Sequence, residues 1–285
     1  MSNTYLNIHT PHYTYHMEIY KIKSAYNSFN FLVGDKNNPC LDCSIILDNT
    51  TKNERLNKYE YTATLNKIDA LIECALDDIS TEYFNMHSFG KELLESVIFI
   101  INSQFPKIKN IKLVDMSFIP CNRLRNDTLD LLSYSIALYG KTWYEKVANA
   151  YILPKERYQT YQNQVKVYMD KKTKSDMTFD LLYNTVMFKN YYAREIITEN
   201  YDKYKLLFEE SDTFPDFFIK INKLLKHEDK CKFFKSWLYD FIALQIIIER
   251  EWYIDLFPKI EVIPKTTINY AKKTRKIRKN HNTNI

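Results

Sequence analysis

The stretch Phe89-Gly-Lys-Glu-Leu-Leu-Glu-Ser-Val-Ile-Phe-Ile-Ile-Asn-Ser-Gln-Phe-Pro106, followed shortly by Ile111-Lys-Leu-Val-Asp-Met116, decides how the front of this chain is read. Leu93, Leu94, Val97, Ile98 and Ile101 recur at spacings of three and four, which places them on one face of a helix over about 88–104. Pro106 stops that helix, because its ring fixes φ and removes a donor. The segment 111–116 then alternates apolar and polar residues, as a short strand does.

Upstream of Phe89 the period is two. Residues 13–22, 29–33, 41–47, 59–65 and 70–76 read as a meander of about five strands, with Gly34-Asp-Lys-Asn-Asn-Pro39 as a turn cluster. Residues 1–12 are polar and read as a loose N-terminus. A strand, a helix and another strand in succession form a βαβ unit, and its two strands must run parallel if they share a sheet. Downstream, 127–150 reads as a second helix, with Leu129, Leu132, Ile136, Tyr139, Trp143 and Val147 on one stripe, and Pro154 closes that unit.

Beyond Pro154 amphipathic helices dominate, over about 155–170, 178–209, 215–226 and 229–250. In the last of these, Phe234, Trp237, Phe241, Leu244 and Ile248 make one apolar stripe. Residues 260–263 read as a final strand, and 265–285 as a disordered basic tail. The expectation is therefore an α+β protein: an α/β domain over 13–153, a helical extension over 154–264 packed on it, and the tail.

Composition narrows the class. The chain has 285 residues, 45% of them apolar and 26% charged, so it can bury a sizeable core without a disulfide or metal staple. Aromatics reach 15% and glycines number only three, the bias of an AT-rich genome; each remaining glycine marks a place where the backbone needs it. The five cysteines (Cys40, Cys43, Cys74, Cys121, Cys231) are odd in number and irregular in spacing, and residues 1–20 have no apolar leader core. Free thiols in a reducing, cytoplasmic compartment are expected from that pattern. The longest apolar run, 237–248, is interrupted by Asp240 and Gln245 and is shorter than the roughly 20 residues a bilayer requires. It reads as a core helix, and no transmembrane segment is expected.

The charge is uneven. Residues 265–285 hold seven Lys or Arg and no acid; subtracting those seven from the net +5 leaves −2 on the rest. Lys272-Lys-Thr-Arg-Lys-Ile-Arg-Lys279 suits sequence-independent contact with nucleic acid or an anionic surface, or a nuclear address. His9-x-x-His12-x-x-x-His16 has ligand residue types, but Pro11 breaks the helix that would align them. Cys40-x-x-Cys43 lacks the second pair a structural zinc needs. No metal is expected.

Three segments resemble the Gcn5-related N-acyltransferases. Ala70-Leu-Ile-Glu-Cys-Ala-Leu-Asp-Asp78 resembles the family's fourth strand. Ser88-Phe-Gly-Lys-Glu-Leu-Leu94 resembles the phosphate-binding loop and helix start, and Ala137-Leu-Tyr-Gly-Lys-Thr-Trp-Tyr-Glu-Lys146 resembles the closing helix. The resemblance covers roughly 13–153 and implies a mixed sheet with flanking helices. It also implies acetyl-CoA held at Ser88, Phe89, Gly90, Lys91 and Glu92, and acetyl transfer to an amine. Glu73 matches the family's general base. Tyr144, or in the alternative register Tyr139, matches the acid for the leaving thiolate. The phosphate loop is degenerate: Ser88 stands where the first glycine is usual and Asn85 where a basic or amide residue is usual, and only Gly90 is kept. Loss of that close backbone approach weakens coenzyme A binding. The alternative the same residues imply is an inactive module of this fold, binding a protein or nucleic-acid partner through its helical half and tail. The stretch 131–145 and the composition also resemble uncharacterised proteins of giant DNA viruses, for which cytoplasm or virion would be the setting.

Overall fold

The computed structural model describes residues 4–9, 14–23, 27–35, 38–46, 52–53, 58–59, 62–68, 86–121, 128–187, 191–235, 237–256 and 267–270. Its elements are β1 (Thr4–His9), β2 (Thr14–Lys23), β3 (Asn27–Asp35), β4 (Asn38–Ile46), β5 (Lys52–Asn53), β6 (Lys58–Tyr59), β7 (Thr62–Ile68), α1 (Met86–Gln104), β8 (Asn110–Val114), β9 (Phe118–Pro120) and β10 (Thr128–Asp130). They continue with α2 (Leu131–Tyr139), α3 (Trp143–Ala148), α4 (Lys155–Tyr168), α5 (Lys171–Ser175), α6 (Phe179–Thr185), α7 (Tyr191–Thr198) and α8 (Tyr201–Glu209). The last are α9 (Phe214–Leu224), α10 (His227–Phe234), α11 (Leu238–Gln245), β11 (Glu251–Asp255) and β12 (Thr267–Tyr270). Two compact units result: Met1–Leu113 with Asp255–Ile285, and Val114–Ile254. The division therefore falls near residue 113, not at Pro154, and β12 belongs to the first unit.

The first unit is a mixed sheet with α1. Its strands follow the order β8-β7-β4-β3-β2-β1-β12. All neighbours are antiparallel except β7 and β8, which run parallel through Ala63↔Ile111, Thr64↔Lys112 and Leu65↔Leu113. A βαβ unit is thus present, with β7 as its first strand; the segment 70–76, the strand expected just before the helix, lies outside the described residues, as does 260–263. Pairing puts alternate residues on one face: Ile19 opposes Phe31, Phe31 opposes Cys43, Cys43 opposes Leu65, and Leu65 opposes Leu113. All of these are buried. Leu93, Leu94, Val97, Ile98, Ile100 and Ile101 of α1 are buried too, and Phe105 sets its ring edge against Phe29 and Phe31. The other face carries half-buried polar side chains at Asn30, Ser44, Thr64 and Lys112, the alternation expected of a sheet packed on one side. Two terminal readings are corrected. The N-terminus read as loose forms β1, and residues 267–270 of the tail form β12, which pairs with β1.

The second unit is helical, and its helices are shorter than the periodicity predicts. The helix expected over 127–150 is broken into β10, α2 and α3. Asp130 caps α2 by accepting from the Ser133 amide at 2.9 Å, and Gly140 ends it in the left-handed conformation at φ 63°. There the glycine is needed, since other residues disfavour that backbone and a Cβ would run into the Met169 side chain. The stripe breaks at this turn, and Tyr139 just before it is 48% exposed. The helix expected over 178–209 is three. Thr185 donates its hydroxyl to the Leu181 carbonyl and Thr198 to the Arg194 carbonyl, at the ends of α6 and α7, and such back-bonding slightly destabilises and bends a helix. The helix expected over 229–250 divides into α10 and α11, followed by β11. After that break Phe234, Trp237 and Phe241 are buried, whereas Leu244 is 73% exposed. The core is aromatic: Trp237 packs against Phe218, Phe233, Phe234 and Phe241.

The cysteine expectation is overturned. Cys121, just past β9, and Cys231, in α10, form a disulfide across 110 residues of sequence. Cys40 is disulfide-bonded as well. Among the described residues only Cys43 is a free thiol, and burial pushes its pKa far up. The pairing was invisible in the spacing because the fold, not the sequence, brings these sulfurs together.

Candidate functional site

The βαβ crossover positions the strongest candidate. The helix expected from 88 begins at Met86, so its first-turn amides belong to Met86, His87 and Ser88. Ser88 is therefore inside the helix. Gly90 and Lys91 lie in the second turn, where each N–H is directed at the carbonyl four residues before it. Gly90 is buried, Lys91 is exposed and pairs with Glu95 at 3.7 Å, and Glu92 is buried with its carbonyl accepting from Ser96 at 2.7 Å. The first turn holds no acidic residue, so nothing on the helix itself opposes an anion at the positive end of the dipole.

β7 runs to Ile68 and keeps pairing with β4 through Asp42↔Lys67 and Leu41↔Ile68. Its described pairs with β8 end at Leu65↔Leu113. Three residues of β7 thus extend beyond the parallel pair, at the carboxyl end from which the chain leads on to α1. Ligands of open sheets with parallel strands bind at such ends. There Asn66 is exposed, and its amide donates to Ser44 Oγ at 3.2 Å and Asp42 Oδ1 at 3.4 Å.

The other expected residues fall elsewhere. Glu73 lies outside the described residues. Tyr144 belongs to the second unit, whereas Ser88, Phe89, Gly90, Lys91 and Glu92 belong to the first. Tyr144 is 4% exposed and its hydroxyl is hydrogen-bonded to Ser117. Burial pushes the phenol far above its ordinary pKa; the nearby Asp115 charge acts the same way and the Ser117 bond opposes it. Tyr139, the alternative, is half exposed with the Lys146 ammonium 4.0 Å above its ring.

Around Tyr144 the chain builds a polar knot that periodicity does not reveal. Asp115 is buried, accepts from the Ser117 amide at 3.0 Å, and has its pKa raised chiefly by desolvation. Arg250 donates to the Asp115 carbonyl at 2.9 Å and to Asp130 Oδ1 at 3.0 Å, while its own carbonyl accepts from the Asp115 amide. Glu145 is equally engaged. It closes a capping box, accepting from the Thr142 amide at 2.8 Å, and also accepts from the Tyr158 and Tyr161 hydroxyls at 3.3 and 2.8 Å. The only sequence signals for these roles are local: Asp130-x-x-Ser133 and Thr142-x-x-Glu145 are helix-start patterns.

Among the described residues no cluster of three or more His, Cys, Asp and Glu could hold a metal ion, and no helix is long and apolar enough to cross a membrane. His9 and His16 lie on β1 and β2; His12 is outside the described residues. No protein family, curated protein or solved structure matches this chain.

Proposed function

We propose that the protein is an acyl-CoA-binding module of N-acyltransferase type, acting from the carboxyl end of β7 and the N-terminus of α1. The observation that carries this reading is the parallel pair β7 and β8, joined through α1, whose described pairing ends at Leu65 and Leu113 while β7 runs on. The crossover includes a 19-residue helix whose first turn holds no acidic residue. A pyrophosphate suits such amides, and backbone groups at the end of the strand suit a thioester carbonyl. In the reaction an amine nitrogen forms a bond to the acetyl carbonyl and the carbon–sulfur bond breaks. The coenzyme leaves as thiolate and takes a proton. Glu73 remains the proposed base; Tyr144, buried in the second unit, is given no part in this step.

Calorimetry of acetyl-CoA binding to the full chain tests this. A dissociation constant in the micromolar range is expected. Ser88→Asp places a carboxylate in the first turn, where it favours the helix dipole yet repels a pyrophosphate. It is expected to weaken binding at least about tenfold, equivalent to roughly 1.4 kcal/mol, while leaving thermal stability equal or higher. No heat from the wild-type chain at concentrations that reveal a millimolar constant sinks the reading.

A second reading rests on the seven cations and no acids of residues 265–285. In it the protein contacts a polyanion through Lys272-Lys-Thr-Arg-Lys-Ile-Arg-Lys279. Retention on DNA or heparin should then fall steeply with salt and disappear when residues 271–285 are removed, a cut that spares β12. Unchanged retention after the deletion excludes the tail as the contact.

A further inference from the structure

The second unit is cross-linked inside its own core. Cys121 and Cys231 have Cα atoms 5.6 Å apart, within the range a disulfide requires. They are only 8% and 2% exposed. Cys231 sits in α10 two residues before Phe233, which with Phe234 packs on Trp237. Thiol–disulfide exchange needs a thiolate and an in-line approach of a third sulfur, and both are denied to a sulfur sealed in a folded interior.

We infer that this chain is a substrate of a disulfide-donating oxidant that acts before the second unit closes. One cysteine of the pair, as thiolate, attacks the oxidant's disulfide; a mixed disulfide forms and one oxidant thiol leaves. The second cysteine then attacks the chain sulfur of that mixed disulfide, forming Cys121–Cys231 and expelling the other oxidant thiol. Two electrons pass from chain to oxidant, whose disulfide becomes two thiols, and the two cysteine protons end in the thiol pool. Once the unit has closed, the same burial that excludes the oxidant excludes a reductant. The bond therefore persists even where small thiols are abundant. Cys40, also bonded and fully buried on β4, falls under the same logic in the first unit.

The test uses the full-length protein. Thiols are blocked with N-ethylmaleimide during unfolding at lysis, and the digest is read by mass spectrometry. Chain made in an oxidising compartment is expected to yield Cys121 and Cys231 peptides as one cross-linked pair. Maleimide on both cysteines, or a link to another cysteine, overturns the inference. A second measurement addresses timing. Folded protein in dithiothreitol should lose the bond at least about 100-fold more slowly than the same protein in urea, since reduction must await opening. Equal rates show that the native bond is open to exchange and overturn the claim that oxidation must precede closure.

Discussion

A chain with alanine at both Cys121 and Cys231 is expected to lose about 4 to 5 kcal/mol of stability in its second unit. The bond spans 110 residues, and closing a loop of about that length removes this much chain entropy from the unfolded ensemble. For a unit of this size the loss corresponds to a fall in Tm of about 10–15 °C. Urea titration should also show a steeper denaturant dependence, because the unfolded chain without the cross-link is more expanded. Scanning calorimetry of oxidised wild type against the double variant is the direct comparison. A change below about 1 kcal/mol would mean that the bond is not formed, or that the unfolded chain is held together by other means. The effect requires no contact to be lost in the native state, which sets it apart from a core truncation.

The second large effect is expected at Glu145. In Glu145→Ala the capping box of α3 is lost, at about 1 kcal/mol. The Tyr161 hydroxyl, on a residue only 2% exposed, is left without its 2.8 Å acceptor, at about 1–3 kcal/mol. The sum is about 3 kcal/mol, measured by urea unfolding of the full chain. Tyr144→Phe removes only the bond to Ser117 and should cost about 1 kcal/mol. That order of effects is expected if Glu145 is a structural keystone. If Glu145→Ala is as stable as wild type, its hydrogen bonds are dispensable and the residue is free for another role. The wild-type carboxylate tolerates its surroundings at a cost: desolvation raises its pKa, while the Thr142 and tyrosine donors pull it back down. Its neighbours respond oppositely, and Tyr158 is pushed up to about 12 by burial and by the carboxylate beside it.

The acyltransferase resemblance and these energetics meet in Tyr144-Glu145-Lys146. Read as sequence, the tripeptide belongs to a signature. In the fold, Tyr144 is buried against Ser117, Glu145 caps a helix and holds two tyrosines, and Lys146 covers Tyr139. These are packing roles, and they explain why such a pattern can persist at the end of a helix without any contact to a cofactor.

Local features were legible in the residues themselves. The alternation before Phe89 placed β2, β3, β4 and β7 to within a few residues, and the apolar spacing after it placed α1. Pro154 marked the start of α4, and the polar and apolar faces of the helices came from periodicity. These features depend on near neighbours and on the burial of one face, and near neighbours are written consecutively. Where a helix would stop was less legible. Gly140 and the back-bonding Thr185 and Thr198 each interrupt a run whose hydrophobic period continues past them, because capping geometry acts on single residues and periodicity averages over many. The remaining features came from long-range packing. It joined Cys121 to Cys231, tied Arg250 to Asp115 and Asp130, brought β12 back beside β1, and turned Leu244 outward while burying Trp237. Each of these depends on partners distant along the chain and chosen by packing, and no pattern of spacing in one segment records where the other will lie.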